Sequence, residues 1–414
     1  MPYIREIDNR WTFRKADTKE YTHGYHIYPA MMIPQVARTL IEEYGPKGQL
    51  QTILDPYMGS GTTLVEAAIK GVNSIGTDLN PLARMMSKVK TTHYNEDIIK
   101  TQFVEISFQL SFYDASKVIN RNFERVSNYT YWYSEEILLK LSYLNQLIDE
   151  YANDNDFFRL ILAEIVREVS YTRNGEFKRF RMSKDKISSY KPNPFELFEK
   201  KVKRNIAGLC AYNEITHRAN VTICDFNSTY GIPQDIIATE SIDMVVTSPP
   251  YGDSRTTVAY GQFSRWANEW FGFDNAKTLD NKLMGGTKCR EVKFNSAELT
   301  ETLSKIRTLD EKRYWEVISF LNDYSQSIQN VSKTVRVGGR VCYVVGDRRV
   351  KGIQIPLDYF TAEIFEQCGF EHINTIVREI PNKRMPSLTS PTNKTGNHIQ
   401  TMSHEYIVIL EKIK

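Results

Sequence analysis

The chain has little with which to build a disulfide framework, a metal site or a membrane anchor. Its five cysteines are scattered over 414 residues, with no C-x-x-C pair and no histidine nearby. No apolar run reaches the roughly 18 residues that a transmembrane helix needs, and charges stand where a signal peptide would have its apolar core. We therefore expect no disulfide, no metal and no membrane association, and we expect a cytoplasmic protein.

Net charge is also small, at +3, so the electrostatics of the whole chain do not indicate a nucleic-acid partner. One stretch differs. Residues 167–204 contain twelve Lys and Arg against five Asp and Glu, with aromatic residues interleaved. Such a stretch is either a solvated face or a surface that contacts phosphates, and both interpretations stay open.

What the chain does contain is the pattern of a doubly wound α/β sheet. An amphipathic helix, Pro34–Tyr44, precedes a short apolar strand, Thr52–Leu54, and a glycine turn. A helix (Leu64–Lys70) and a second strand (Ser74–Thr77) follow, and the next residue is an acid, Asp78. Strand, glycine turn, helix, strand and acid are typical of the half of such a sheet that holds a nucleotide.

The pattern changes after about residue 94. Apolar residues at helical spacing predict a mostly helical insertion over 95–215, and strands resume with Val221–Cys224 and Ile242–Val246. The last two predicted strands, near Ile373–Glu379 and Glu405–Leu410, form an antiparallel hairpin. We expect three segments: 1–94, the insertion at 95–215, and 216–414.

The glycine turn reads DPYMGSGTT (Asp55–Thr63), and Gly59 and Gly61 permit a tight turn and close approach of the backbone to a ligand. No lysine follows Gly61, which argues against a P-loop, and Leu64 replaces the third glycine of a dinucleotide site. A tight turn without a ligand stays an alternative. The favoured ligand is an adenosine compound without pyrophosphate, such as S-adenosylmethionine.

Three aspartates at predicted strand ends suit such a ligand. Asp78 lies seventeen residues past Gly61, near the spacing of an acid that binds ribose hydroxyls. Asp55 would bind the ammonium group of the methionine part, and Asp225 would accept from the adenine amino group. Each of the three has an alternative as a cap of a helix or a turn.

A second unusual turn, TSPPYGD (Thr247–Asp253), follows the predicted strand Ile242–Val246. Because proline restricts the residue before it, Ser248 and Pro249 are both held extended, and neither proline donates a hydrogen bond. The Ser248 hydroxyl and the Pro249 carbonyl then form a rigid acceptor pair beside Tyr251. An exocyclic amine on a planar base offers two donors and a π face, which matches this turn. The alternative is a turn that only ends a strand.

Together the two turns resemble those of the amino-methyltransferases of DNA, and the serine of SPPY resembles the cytosine-N4 branch. HGYHIYPAMMIPQVARTLI (His23–Ile41) is similar to the family's N-terminal cofactor motif, with Met31 and Met32 where Lys-Phe is usual. The stretch Arg378–Lys412, with its closing HEYI strand, is similar to the late motif. The resemblance covers roughly 20–90 and 220–412. The cofactor half comes first, whereas many cytosine-N4 enzymes have the reverse order.

The resemblance implies a class I methyltransferase fold in which 1–94 and 216–414 form the catalytic domain. It implies direct methyl transfer from S-adenosylmethionine to a base flipped out of double-stranded DNA, with Tyr251 stacked on that base. The absence of a Pro-Cys nucleophile argues against carbon-5 methylation. The catalytic residues implied are Ser248, Pro249, Pro250 and Tyr251. The cofactor-binding residues implied are His26, Tyr28, Pro29, Asp55, Pro56, Tyr57, Gly59, Ser60, Gly61, Thr62, Asp78, Leu79 and Asp225.

Serine at position 248 favours cytosine, because adenine-N6 relatives mostly carry Asp or Asn there. Adenine-N6 methylation is the first alternative and RNA base methylation the second. A binding subunit without catalysis would be expected to have a broken turn, and both turns are intact. The family also implies a cognate restriction endonuclease that acts separately.

Three regions carry candidate DNA-binding cations: the helical insertion, the stretch after SPPY, and the loop 381–403. We expect the insertion to be the main target-recognition region. The residues predicted to contact DNA are Arg173, Lys178, Arg179, Arg181, Arg255, Arg265, Lys383 and Arg384.

Overall fold

A computed structural model describes residues 3–48, 50–152, 156–215, 219–253, 257–380, 388–389, 399–400 and 404–414. The strands in this part of the chain are β1 (Arg5–Ile7), β2 (Thr52–Asp55), β3 (Asn73–Thr77), β4 (Val221–Cys224), β5 (Ile242–Thr247), β6 (Val335–Gly346), β7 (Arg348–Val350), β8 (Ile353–Ile355), β9 (Phe370–Glu379), β10 (Leu388–Thr389), β11 (Ile399–Gln400) and β12 (His404–Lys412). The α-helices are α1 (Pro34–Tyr44), α2 (Thr62–Ile69), α3 (Pro81–Thr91), α4 (Glu96–Leu110), α5 (Tyr129–Trp132), α6 (Glu135–Tyr151), α7 (Phe157–Glu168), α8 (Lys184–Ser189), α9 (Pro194–Asn213), α10 (Tyr260–Trp270), α11 (Leu279–Lys282), α12 (Ala297–Leu309), α13 (Glu311–Ser332) and α14 (Leu357–Gln367).

Eight strands form one sheet in the order β1-β9-β12-β6-β5-β2-β3-β4. The neighbours from β6 to β4 are parallel, as are β1 and β9, whereas β12 is antiparallel to both β6 and β9. The chain thus has a doubly wound, mostly parallel sheet with antiparallel C-terminal strands. This is the predicted class I methyltransferase fold.

Alternating residues of the central strand β5 explain why helices cover both faces. Met244 and Val246 pack in an apolar cluster with α1 and α2, while Val245 packs on the other face with α13 and α14. All six residues of β5 are buried. A strand that is apolar on both faces is stable only between two helical layers, because either exposed face would leave its apolar side chains in water.

Helices α4 to α9 lie in the sequence between β3 and β4, where the insertion is predicted. Apart from the short helix α8, which has no buried residue, they contribute apolar side chains to a separate cluster around Leu141, Phe158 and Phe198. Phe263, Trp266 and Trp270 of α10 belong to the same cluster, although α10 follows the SPPY turn. The helical segment is therefore packed directly against a helix of the second half of the chain.

Most predicted elements are present with shifted ends. The helix Pro34–Tyr44 and the strand Val221–Cys224 have the predicted bounds. The short strand β1 was not expected, since three exposed residues carry no pattern. Within the described ranges no helix is long and apolar enough to cross a membrane, and no cluster of three or more His, Cys, Asp or Glu could hold a metal ion.

Candidate active site

One cavity, with about 1010 Å³ of free space that is partly open to solvent, lies at the carboxyl ends of β2, β3, β4 and β5. We call it the strand-end cavity. It is lined by the glycine turn after β2, by Asp78 after β3 and by Ser248 and Pro250 after β5. Ligands of doubly wound sheets bind at this edge, where the strand order reverses, so both sequence motifs lie where a ligand is expected.

The glycine turn holds its shape through the next helix and the acid after β3. Gly61 has φ +76°, in the left-handed region that favours glycine, and α2 begins at the following residue. One oxygen of Asp78 accepts the Gly59 N–H at 3.1 Å, and the other accepts the Asn80 N–H at 2.7 Å. Burial raises the pKa of Asp78 to about 6. A carboxylate is thus fixed beside the turn, with lone pairs left for a ligand.

Thr247 joins the two motifs. Its hydroxyl donates to Asp55 at 2.6 Å, which ties the end of β5 to the end of β2. The neighbouring hydroxyl of Thr63 donates to the Val246 carbonyl at 3.1 Å. Burial raises the pKa of Asp55 to about 6, opposed by the hydrogen bonds from Thr247 and the Tyr57 N–H. The glycine turn and the SPPY turn are therefore held at one fixed separation.

Two aromatic rings that pack against each other form part of the cavity wall. The rings of Tyr28 and Tyr260 have centroids 5.7 Å apart, and both residues line the cavity. The Asn80 amide donates to the Tyr28 hydroxyl at 2.9 Å and to Ser264 of α10 at 2.8 Å. Asn80 thereby connects the N-terminal motif, the turn after β3 and helix α10.

Ten predicted cofactor residues line this cavity: Tyr28, Pro29, Asp55, Pro56, Tyr57, Gly59, Ser60, Thr62, Asp78 and Leu79. His26 and Gly61 lie behind the lining. His26 is buried, its Nδ1 lies 2.5 Å from the Ile27 carbonyl oxygen, and burial lowers its pKa to about 4. Both residues support the wall of the cavity without reaching its surface.

Asp225 is not brought into the cavity. Its side chain is 78% exposed and lies 4.0 Å from Arg84, at the edge of a second hollow. The chain turns after β4, so the next three residues, Phe226, Asn227 and Ser228, line the cavity instead. The sequence predicted that Asp225, at the end of the strand, would line the cavity. In the structure the turn after β4 directs the residues that follow Asp225 into the cavity instead.

Two residues of the SPPY turn line the cavity, and the other two lie outside its lining. Ser248 and Pro250 line the cavity, whereas Pro249 is buried. Tyr251 is also outside the lining, and its hydroxyl lies 3.0 Å from Ser248 Oγ and donates to Glu405 at 3.1 Å. The Tyr251 hydroxyl is thus directed into the protein, while its stacking on a base stays a prediction.

Asn80, Phe226, Asn227, Tyr260 and Met284 also line the cavity but are not among the predicted site residues. Tyr260 had a usable signal. The aromatic residues at 260, 263, 266 and 270 follow helical spacing and indicate one face of α10. Asn80 also had one, because an Asn before Pro is typical of a helix N-cap. Met284 had none, since it comes from a distant loop.

The predicted DNA-binding cations are mostly engaged in the described part of the chain. Arg179 stacks on the Trp266 ring at 4.6 Å, Arg181 lies 4.0 Å from the Tyr131 ring, and Arg265 pairs with Glu269 at 2.7 Å. Arg173 is exposed and lies 3.3 Å from Glu176, and Lys178 is half-buried. Arg255, Lys383 and Arg384 lie outside the described residues.

The cavity fits an S-adenosylmethionine molecule by the chemistry of its lining. Apolar side chains of Tyr28, Phe226 and Met284 suit an adenine ring, and the carboxylates of Asp78 and Asp55 are acceptors for ribose hydroxyls and an ammonium group. Fold and cavity together define a class I methyltransferase.

Comparisons with known proteins narrow the kind of methyltransferase to which the chain is similar. Residues 2–89 match the family model described as DNA methylase. The type II methyltransferase M.MvaI of Kocuria varians is 38% identical over 425 residues, covering 96% of this chain and 93% of that protein. M.BsoBI of Geobacillus stearothermophilus is 24% identical, covering 90% and 84%. A putative DNA modification methylase of Thermus thermophilus, complexed with S-adenosylmethionine, matches 44% of this chain and 54% of its own at 20% identity, with a TM-score of 0.23.

The extent of the match to M.MvaI shows that the chain belongs to the family of type II DNA methyltransferases. Its substrate is DNA, and its methyl donor is S-adenosylmethionine.

Proposed function

We propose that the chain methylates the exocyclic N4 of a cytosine flipped out of double-stranded DNA. The observation that carries this proposal is that Ser248 lines the same cavity as Gly59 and Asp78. A hydroxyl that binds an amine therefore lies in the cavity that holds the methyl donor. Thr247 fixes the distance between the two turns through Asp55. Orienting two reactants in this way supplies much of the acceleration of a transfer reaction.

In this proposal five residues in or beside the cavity have defined roles. Asp78 accepts from the ribose hydroxyls, Asp55 binds the ammonium group, and Asn227 replaces Asp225 near the adenine edge. S-adenosylmethionine supplies an electrophilic methyl group. The Ser248 hydroxyl and the Pro249 carbonyl accept hydrogen bonds from the cytosine amine, which favours a tetrahedral nitrogen and directs its lone pair at that methyl group.

The choice of base is tested by its product. Purified protein is incubated with S-adenosylmethionine and plasmid DNA, and the DNA is digested to nucleosides for mass spectrometry. We expect N4-methylcytosine. N6-methyladenine alone would support the adenine alternative, and methylation of RNA but not DNA would support the second one. Sequencing the modified bases then identifies the recognised site.

We also propose that the segment 95–215 recognises the target, with 1–94 and 216–414 forming the catalytic domain. Support comes from the contact between this segment and α10: Trp266 Nε1 donates to Thr172 at 3.1 Å, and Arg167 donates to the Phe263 carbonyl at 3.2 Å. Helix α10 starts with Tyr260 in the strand-end cavity. The basic turn 172–181 thus packs on the same helix that begins at the strand-end cavity, where the flipped base is proposed to bind.

Alanine at Arg173 and Lys178 tests this assignment. We expect weaker binding to DNA in a fluorescence anisotropy assay and unchanged affinity for S-adenosylmethionine by calorimetry, because neither side chain lines the cavity. Lys203→Ala is the matched control, since Lys203 is a 68% exposed cation of the same basic stretch that pairs with Glu199. Equal loss of both affinities would mean that the turn is structural.

A cognate restriction endonuclease would act on the same site, and DNA methylated by this chain should then resist cleavage by it. A DNA substrate also agrees with the cytoplasmic location expected from the sequence. Cleavage of fully methylated plasmid by the endonuclease would contradict the pairing.

A further inference from the structure

A chain of hydrogen bonds leads from the SPPY turn to the antiparallel C-terminal strand. Ser248 Oγ lies 3.0 Å from the Tyr251 hydroxyl, and that hydroxyl donates to Glu405 Oε1 at 3.1 Å. Glu405 is on β12, and its other oxygen accepts from Arg378 of β9 at 2.6 Å. The Arg378 side chain is 5% exposed and that of Glu405 is 16% exposed. We call Ser248, Tyr251 and Glu405 the relay.

The carboxylate decides the direction of these hydrogen bonds. An ionised carboxylate only accepts, so the Tyr251 proton is directed to Glu405. The Tyr251 oxygen then accepts the Ser248 proton, which leaves the lone pairs of Ser248 for the cavity. Burial and the neighbouring Glu405 raise the pKa of Tyr251 well above its ordinary value, which keeps the phenol protonated.

The direction of these hydrogen bonds determines whether the Ser248 hydroxyl donates or accepts in the cavity. A free hydroxyl rotates and either donates or accepts, whereas an amine needs an acceptor. With its own proton committed to Tyr251, Ser248 is an acceptor in the cavity. Adenine-N6 relatives mostly carry Asp or Asn at this position, whereas here the carboxylate is that of Glu405, two hydrogen bonds away from Ser248.

We propose that Glu405 is a positioning residue for methyl transfer, acting through Tyr251 to hold Ser248 as the acceptor of the target amine and receiving the proton that the amine loses. This inference rests on the proposed function but applies to either base.

The proton balance of the reaction closes within the relay. The nitrogen lone pair forms the new N–C bond while the C–S bond pair goes to sulfur, so the positive charge moves from sulfur to nitrogen. One N–H proton then passes to Ser248 as the Ser248 proton passes to Tyr251 and the Tyr251 proton to Glu405. The methylated amine and the thioether leave neutral, Glu405 is left as a neutral acid, and no further reactant is needed.

The test measures single-turnover methyl transfer in preformed complexes with DNA and S-adenosylmethionine. We expect Tyr251→Phe and Glu405→Gln each to lower the rate by about 100-fold, within the range of a lost general acid–base step. Affinities for the cofactor and for DNA should change less than about threefold. The double variant should be hardly slower than the slower single variant, because both changes interrupt one relay.

Two control variants come from the same strand. Glu411 pairs with Arg340 at 2.9 Å, as Glu405 pairs with Arg378, but at the far end of β12. Tyr406 is the next residue and carries a hydroxyl outside the relay. Glu411→Gln and Tyr406→Phe should therefore keep the wild-type rate. A loss as large in either control would overturn the relay, since it would then reflect damage to the strand.

Additive losses in the double variant, or a Tyr251→Phe rate within threefold of wild type, would overturn the inference while leaving the proposed function intact. Tyr251→Phe keeps the ion pair of Glu405 with Arg378, so it decides the matter even if Glu405→Gln does not fold. Absence of any amine methylation of DNA by the wild-type protein would overturn the proposed function and the relay with it. Formation of N6-methyladenine would change only the base.

Discussion

Replacing Gly61 by alanine should destabilise the protein through two separable effects. The first is the backbone: Gly61 has φ +76°, and the left-handed region costs an L-residue about 1–2 kcal/mol. The second is steric. An added Cβ would lie 2.6 Å from Ser87 Oγ, 2.9 Å from its Cβ and 3.0 Å from its Cα. Because α3 contributes backbone to this contact, we expect a further cost of about 1–3 kcal/mol from overpacking.

Gly352→Ala isolates the backbone effect. Gly352, in the turn between β7 and β8, has φ +82° and open space around its missing Cβ. Urea denaturation followed by circular dichroism should show a loss of about 1–2 kcal/mol for this variant and about 2–5 kcal/mol for Gly61→Ala. Calorimetry should show weaker binding of S-adenosylmethionine only for Gly61→Ala. Equal losses of unfolding free energy in the two variants would refute the steric argument.

Three further outcomes follow from buried groups. Burial raises the pKa of Asp78 to about 6, and ribose hydroxyls bind the ionised form of this carboxyl. Calorimetry should therefore show weaker cofactor binding as pH falls from 7 to 5. An affinity that does not change with pH would contradict the role of Asp78. Gly252→Ala would place a Cβ 2.6 Å from the buried Arg348 guanidinium. Denaturation should show that the free energy of unfolding falls by about 1–3 kcal/mol, and an unchanged value would refute the contact. Glu66→Ala removes a fully buried carboxylate that pairs with Arg38. In the same assay the free energy of unfolding should fall by about 3 kcal/mol. A decrease below about 1 kcal/mol would show that the ion pair contributes little to stability.

The outcome for Asp225 shows where pattern reasoning ends. A residue can be assigned to a strand end from the sequence, because apolar periodicity locates the strand to within a residue or two. Whether its side chain enters the cavity depends on how the chain turns next, and here the turn presents Phe226 and Asn227. Backbone direction after a strand is set by packing against distant elements, which no local pattern records.

The contact made by Glu405 also could not be predicted from a local sequence pattern. The HEYI strand is recognisable in the sequence, but nothing local connects its acid to a serine 157 residues earlier. Strand β12 lies between β6 and β9 and runs antiparallel to both, which brings Glu405 opposite Gly346 and within reach of Tyr251. Only the sheet order creates this contact.

The sequence by itself determined the doubly wound fold, the glycine turn and the SPPY turn, because these depend on short-range backbone constraints: φ preferences of glycine and proline, and the period of apolar residues. Tertiary structure alone decided which side chains share the strand-end cavity, how α10 joins the helical segment to it, and that Ser248 is linked to Glu405. Those relations join residues far apart in the chain, and they exist only once the sheet has formed and both of its faces are covered.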